Sequence, residues 1–174
     1  PPHHSSAASD VYKRQGLVKG ASKGEGLGNK FLANIRETDA IIHVLRCFDN
    51  DNITHVDGSV DPIRDKEIID IELQLKDLES LNNRLEKVSR TVKSGDKEAA
   101  REKEVLNQAI SFIESSNNIR SIDLDEDDIN KYLKPLQLIT SKPVLYVCNV
   151  DEGSVTSTNS YVESVSYTHL TLPT

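Results

Sequence analysis

Lys142–Gly153 reads KPVLYVCNVDEG. Val144–Cys148 is a short, nearly unbroken apolar run, held between Pro143 and a polar turn. Such runs suit strands covered on both faces, as in parallel sheets flanked by helices. The tetrad that closes it, Asn149-Val150-Asp151-Glu152, falls beyond the carboxyl end of the strand, where open parallel sheets bind ligands. An amide plus a carboxylate there can read the hydrogen-bonding edge of a nucleobase. The same residues also make an ordinary solvated turn. Upstream, Ala40–Arg46 (AIIHVLR) has the same character and predicts a second buried strand. Two such strands cannot make a stable sheet alone, so the pattern predicts part of a larger α/β parallel-sheet domain.

What lies between the strands is helical. Asp61 and Pro62 supply an N-cap and a first helical residue. Apolar residues then recur at Ile68, Ile71, Leu75, Leu78, Leu81, Leu85, Val88 and Val92, one amphipathic face over roughly eight turns. Ser94-Gly95-Asp96 makes a turn whose aspartate can cap a second helix, about Lys97–Ser116. The two predict an antiparallel, coiled-coil-like hairpin inserted between the strands. A polar stretch, Asn117–Asp128, leads to a short helical segment around Ile129–Ile139. Before the first strand, a helix is expected over about Asn29–Thr38.

Composition narrows the function classes. The 174 residues carry 21 Lys plus Arg against 28 Asp plus Glu, a net charge of −7. That balance argues against wholesale polyanion binding and leaves room only for a local basic patch. No apolar run approaches the roughly 20 residues needed to span a bilayer, and no signal peptide is evident, so no membrane partner is expected; the acidic balance likewise leaves DNA out of the expected partners. Cys47 and Cys148 adjoin the apolar strands and read as reduced thiols of a cytoplasmic protein. The ends read differently from the rest: Pro1–Gln15 and Ser166–Thr174 show neither helix nor strand periodicity and resemble translated sequencing adapters. They are set aside as non-native, His3 and His4 with them.

Five of the eight glycines fall in Gly16–Gly28, GLVKGASKGEGLG. This stretch lacks GxxxxGK[ST], and Gly24–Gly28 is not GxGxxG. It is read as a structural or switch-like loop, with direct phosphate contact as the alternative.

Gly16–Phe48, GLVKGASKGEGLGNKFLANIRETDAIIHVLRCF, closely resembles the switch II region and following strand of the Obg-like ATPase (YchF) family. The resemblance continues through Asp49–Glu79, through SGDKEAA at Ser94–Ala100, and through LITSKPVLYVCNVDEG at Leu138–Gly153. It implies a P-loop NTPase of the GTPase superfamily with a coiled-coil insertion, ATP hydrolysis with Mg2+, and ribosome association. Only Gly16 remains of the family's Asp-x-Ala-Gly motif, the aspartate position falling at Lys13 in the adapter-like end. The chain is therefore expected to be an inactive fragment whose phosphate-binding loop lies upstream.

On this reading residues 1–15 and 166–174 are adapter-like, 16–62 and 117–165 are NTPase-domain parts, and 63–116 is the hairpin. Gly16 would offer its N–H to the γ-phosphate, and Asn149, Val150 and Glu152 would form the base site. The position of the superfamily's water-orienting glutamine holds Leu17, so no catalytic residue is assigned. His43, within an apolar strand, reads as a packed histidine, and His55 as a loop residue. No metal ligand is assigned. GTPases of this superfamily carry Asn-Lys-x-Asp, whose short aspartate takes two hydrogen bonds from guanine. Glu152 is one methylene longer and Val150 replaces the lysine, so ATP is expected to bind better than GTP. Between Arg84 and Lys103, seven basic residues oppose four acidic ones. Lys93, Lys97 and Arg101 at this tip are the expected ribosome contacts, salt-dependent if they meet phosphates. The alternative functions are a non-enzymatic coiled-coil interaction module and a GTP-preferring member of the superfamily.

Overall fold

A computed structural model describes residues 29–50, 59–92, 96–157 and 159–170, with no account of side chains at 29, 30, 92 and 168–170. The elements in chain order are α1 (Asn29–Arg36), β1 (Ile41–Arg46), α2 (Pro62–Val92), α3 (Lys97–Glu114), a one-turn α4 (Glu126–Asp128), β2 (Val144–Asn149) and α5 (Ser160–Leu170). A π turn, Ile129–Leu133, and 3-10 turns at Ile119–Ser121, Lys134–Leu136, Ile139–Ser141 and Glu152–Val155 complete them. The described residues fall into two compact units. One takes in α1 and Asp70–Pro143; the other takes in Ala40–Ile69 and the chain from Val144 on.

In the strand unit, β1 and β2 pair in parallel, with Ile41 opposite Val144 and Arg46 opposite Asn149. The helical insertion between them is thus the crossover that a parallel pair needs. Side chains alternate: Leu45 and Cys47 are buried on one face with Val165 of α5, joined by Tyr146, Cys148 and Val150. His43 lies on this covered face, its ring 5.7 Å from that of its register partner Tyr146. Ile42, Val44, Leu145 and Val147 point the other way and are 40–67% exposed. Both strands were expected to be covered on two faces; among the described residues they are covered on one. The hydrophobicity of the bare face, not its environment here, makes the run continuous in sequence.

The helical unit confirms the hairpin. Asp61 caps α2, its Oδ1 accepting the Arg64 N–H at 3.0 Å with Pro62 next in line. Asp96 caps α3 by accepting the N–H groups of Glu98 and Ala99 at 2.8 and 3.3 Å. At the far end of α3, Ser116 turns left-handed (φ 64°), which lets its N–H and that of Asn117 reach the carbonyls of Ile113 and Phe112. Leu81 and Val88 of α2 share one core with Ala99, Val105, Leu106, Ala109 and Ile113 of α3. Arg84–Glu102 bridges the two helices, and Gln74 of α2 meets Asn118 just beyond the end of α3, in antiparallel order.

Two features differ from the sequence reading. Residues 117–143 pack with the hairpin rather than with the strands, because Ile119, Tyr132, Leu133 and Leu138 bury themselves in the hairpin core. The α5 helix runs to Leu170, five residues into the tail set aside as lacking periodicity. Its Asn159 side chain accepts the N–H groups of Tyr161 and Val162, and the buried Val165 carries the helix past that boundary.

Candidate functional site

At the carboxyl end of β2 the four residues of the tetrad have separate fates. The Asn149 carbonyl accepts the Cys47 N–H at 2.8 Å, extending the β1–β2 ladder by one rung, and its side chain is exposed. Val150 turns back into the Leu45–Cys47–Val165 cluster and is half-buried. Asp151 folds onto its own chain: Oδ1 accepts the Ser154 N–H at 2.7 Å and so caps the turn Glu152–Val155. Glu152 opens that turn with its side chain exposed. The local geometry therefore engages one oxygen of Asp151 in the turn, while the side chains of Asn149 and Glu152 are exposed.

Residues that the sequence reading passed over complete this rim. Asn159 donates from Nδ2 to the Cys47 carbonyl at 3.0 Å while capping α5. The Tyr161 hydroxyl donates to both oxygens of Asp49, just past β1, at 3.1 and 3.0 Å. That hydrogen bond to a carboxylate holds the phenol above its ordinary pKa. The available sequence signal was an Asn three residues before an apolar Val162, a helix start that the adapter-like tail obscured. Cys47 and Cys148 lie beneath the rim as free thiols. Burial, then the neighbouring Cys148 thiol, pushes Cys47 up to about 12.

The hairpin tip carries the other expected contacts. Arg101 is bound on both sides, donating from Nη2 to Asp128 at 2.6 Å and from Nη1 to Glu104 at 2.8 Å. These carboxylates raise its pKa further. Arg84 is held by Glu102 at 2.6 Å, and Lys131 by Glu98 at 3.0 Å. Lys97 is exposed. The segment Glu126–Leu133 thus lies along α3 and draws some of the tip's positive charge into ion pairs. Gly16, Leu17, His55 and Lys93 lie outside the described residues.

No protein-family model matches the chain. Individual proteins do. It is 49% identical over 150 residues to the ribosome-binding ATPase YchF of Haemophilus ducreyi, covering 86% of this chain and 41% of that protein. It is 53% identical over 140 residues to the ribosome-binding ATPase YchF of Bacillus subtilis, covering 80% and 38%. Among solved structures, the Schizosaccharomyces pombe YchF GTPase superposes with a TM-score of 0.73 at 36% identity, covering 88% of this chain and 42% of that one. The chain spans about two fifths of the length of these relatives. Identity of this level over most of the chain, together with the superposition on a solved YchF GTPase, means that the chain belongs to the Obg-like YchF family of P-loop GTPases.

Proposed function

We propose that this chain acts as part of a ribosome-associated, cytoplasmic protein that binds and hydrolyses ATP, with GTP bound more weakly. The observation that carries the reading is the 46–53% identity to proteins named ribosome-binding ATPase. Within that protein, residues 16–62 and 144–165 would serve the nucleotide domain and 63–116 the inserted hairpin, against which 117–143 pack. Asn149 and Glu152 would face the base, Val150 would back them from the core, and Gly16 would meet the γ-phosphate. No described helix is long and apolar enough to cross a membrane. Mg2+ would accompany the triphosphate; among the described residues no group of three or more His, Cys, Asp or Glu is arranged to hold a metal ion.

Base preference follows from the rim. Asn149 can donate to N7 and accept from the 6-amino group, the edge that adenine presents. Guanine needs a carboxylate placed for two parallel hydrogen bonds. Glu152 starts one methylene further out, and Asp151 already accepts the Ser154 N–H. Titration of ATP and GTP into the full-length protein carrying these residues tests the reading. ATP should bind more tightly by on the order of 1–3 kcal/mol, the scale of one hydrogen-bonding pair. GTP binding tenfold tighter than ATP overturns it. Glu152→Asp should narrow the gap without reversing it, because Val150 remains.

A further inference from the structure

The peptide groups of one buried residue hold both ends of the segment that carries the base-reading side chains. Cys47, just past β1, is fully buried. Its N–H donates to the Asn149 carbonyl at 2.8 Å, and its own carbonyl accepts from Nδ2 of Asn159 at 3.0 Å. Between these two bonds the chain leaves the sheet at the end of β2 and returns at the start of α5. Glu152 lies within that excursion, and Asp151 closes its first turn on the Ser154 N–H at 2.7 Å. The Ser157 hydroxyl adds a bond to the Gly153 carbonyl at 2.9 Å.

Asn159 uses both ends of its amide. Its Oδ1 accepts the N–H groups of Tyr161 and Val162 at 2.9 and 3.2 Å, so it caps α5. Its Nδ2 is left to meet Cys47. The helix is in turn seated on the covered face of the strand pair, where Val165 is buried with Leu45 and Cys47. A capped helix packed on the sheet is a firm mount, and the Asn159 amide ties the Cys47 peptide, and hence Asn149, to it. An aspartate or a serine would cap the helix as well, but neither offers an amide N–H to the Cys47 carbonyl. The cap alone therefore does not account for an asparagine here.

We propose that Asn159 is a positioning residue for base recognition: it holds the Cys47 peptide, and through it Asn149, where the Asn149 amide meets the adenine edge, without touching the nucleotide itself. The proposal rests on the nucleotide-binding reading above. Hydrogen bonds weaken steeply with angle, and a paired contact loses on both bonds when its amide tilts. Adenine uses both ends of the Asn149 amide. Guanine presents acceptors at both N7 and O6, so only the N–H end can serve it, and GTP has less to lose.

Calorimetric titration of non-hydrolysable ATP and GTP analogues with Mg2+ into the full-length protein carrying these residues tests this, beside chemical denaturation of the same samples. The unsubstituted protein should prefer the ATP analogue. Asn159→Asp and Asn159→Ser each keep a capping oxygen and lose the Nδ2 donor. Both should bind the ATP analogue about three- to tenfold more weakly, the scale of one or two hydrogen bonds, and the GTP analogue less than about twofold more weakly. The preference then narrows. Equal weakening of the two analogues, or lower stability with the preference unchanged, makes Asn159 a helix cap alone and overturns the proposal. So does a pair of variants that bind both analogues like the unsubstituted protein. An unsubstituted protein that binds the ATP analogue no better than the GTP analogue, or binds neither, overturns the base reading, and the positioning role with it.

Discussion

Asp77 gathers three donors onto two buried oxygens, and the consequences differ with what replaces it. Asp77→Ala would leave two backbone N–H groups and a hydroxyl without their acceptor in a buried site. At about 1–3 kcal/mol for each buried group left unsatisfied, this change should cost more than any surface substitution in the chain. Asp77→Asn keeps the shape but turns an NH2 toward one of those donors, so a smaller loss is expected; chemical denaturation of the full-length protein measures both. Burial raises the Asp77 pKa, opposed by the Thr140 and Ile139 donors and by Arg36. A carboxyl raised on folding holds its proton more tightly in the native state. Its contribution is therefore present below the unfolded carboxyl pKa and is lost as pH rises through the native one. Stability should decline across that window in the unsubstituted protein and stay flatter in Asp77→Asn. Cys47 gives a second expectation at this scale. A fully buried thiol raised to about 12 carries almost no thiolate at neutral pH, so alkylating reagents should label the half-buried Cys148 first. Mass spectrometry of the native protein after brief alkylation checks the order, and preferential labelling of Cys47 contradicts it.

At the scale of elements, the hairpin tip is the place where the structure redirects an expectation. Charge reversal at Arg101 would do two things at once, because the guanidinium also bridges Asp128 and Glu104. Loss of ribosome co-sedimentation in Arg101→Glu would thus report on α3 and its neighbouring segment as much as on a contact. Lys97 is exposed and gives the cleaner test. Lys97→Glu in the full-length protein should weaken co-sedimentation, with a shallower dependence on salt, while leaving thermal stability within about 0.5 kcal/mol. Unchanged binding across a salt series would remove the tip from the interface. The segment Glu126–Leu133 matters to the same element, since Tyr132 and Leu133 bury against the hairpin core. Deleting it should destabilise α2 and α3, which two helices with a self-sufficient seam would not require.

For the whole molecule, the two compact units predict unequal stability. Strand pairing alone leaves Ile42, Val44, Leu145 and Val147 exposed on one sheet face. Two strands with a bare apolar face fall short of the three or more that an independent sheet needs. Expressed as these 174 residues, the chain should show strong helical circular dichroism without one sharp thermal transition. A single cooperative transition of a purified monomer would refute that expectation.

Much of this architecture was legible in one dimension because its causes are local. The caps at Asp61 and Asp96, the three- and four-residue apolar spacing of α2, and the β-branched runs of β1 and β2 act within a few residues of themselves. A parallel pairing followed from a long helical crossover between two continuous apolar runs. The resemblance of Gly16–Phe48 and Leu138–Gly153 to the Obg-like family pointed to the nucleotide reading on motifs alone. What the sequence could not disclose depended on partners distant along the chain. The apolar stripe of α2 was read through Leu75 and Leu78, yet Gln74 and Asp77 are the residues buried beside them, because donors more than sixty residues away need that carboxylate. Arg101 read as a free cation until Asp128 was folded against it, and α5 was hidden by a tail whose helical cap lies before it. Local propensity and periodicity determined the elements. Only the tertiary structure decided which polar groups are buried and which charges are already spent on each other, because desolvation and ion pairing depend on neighbours in space.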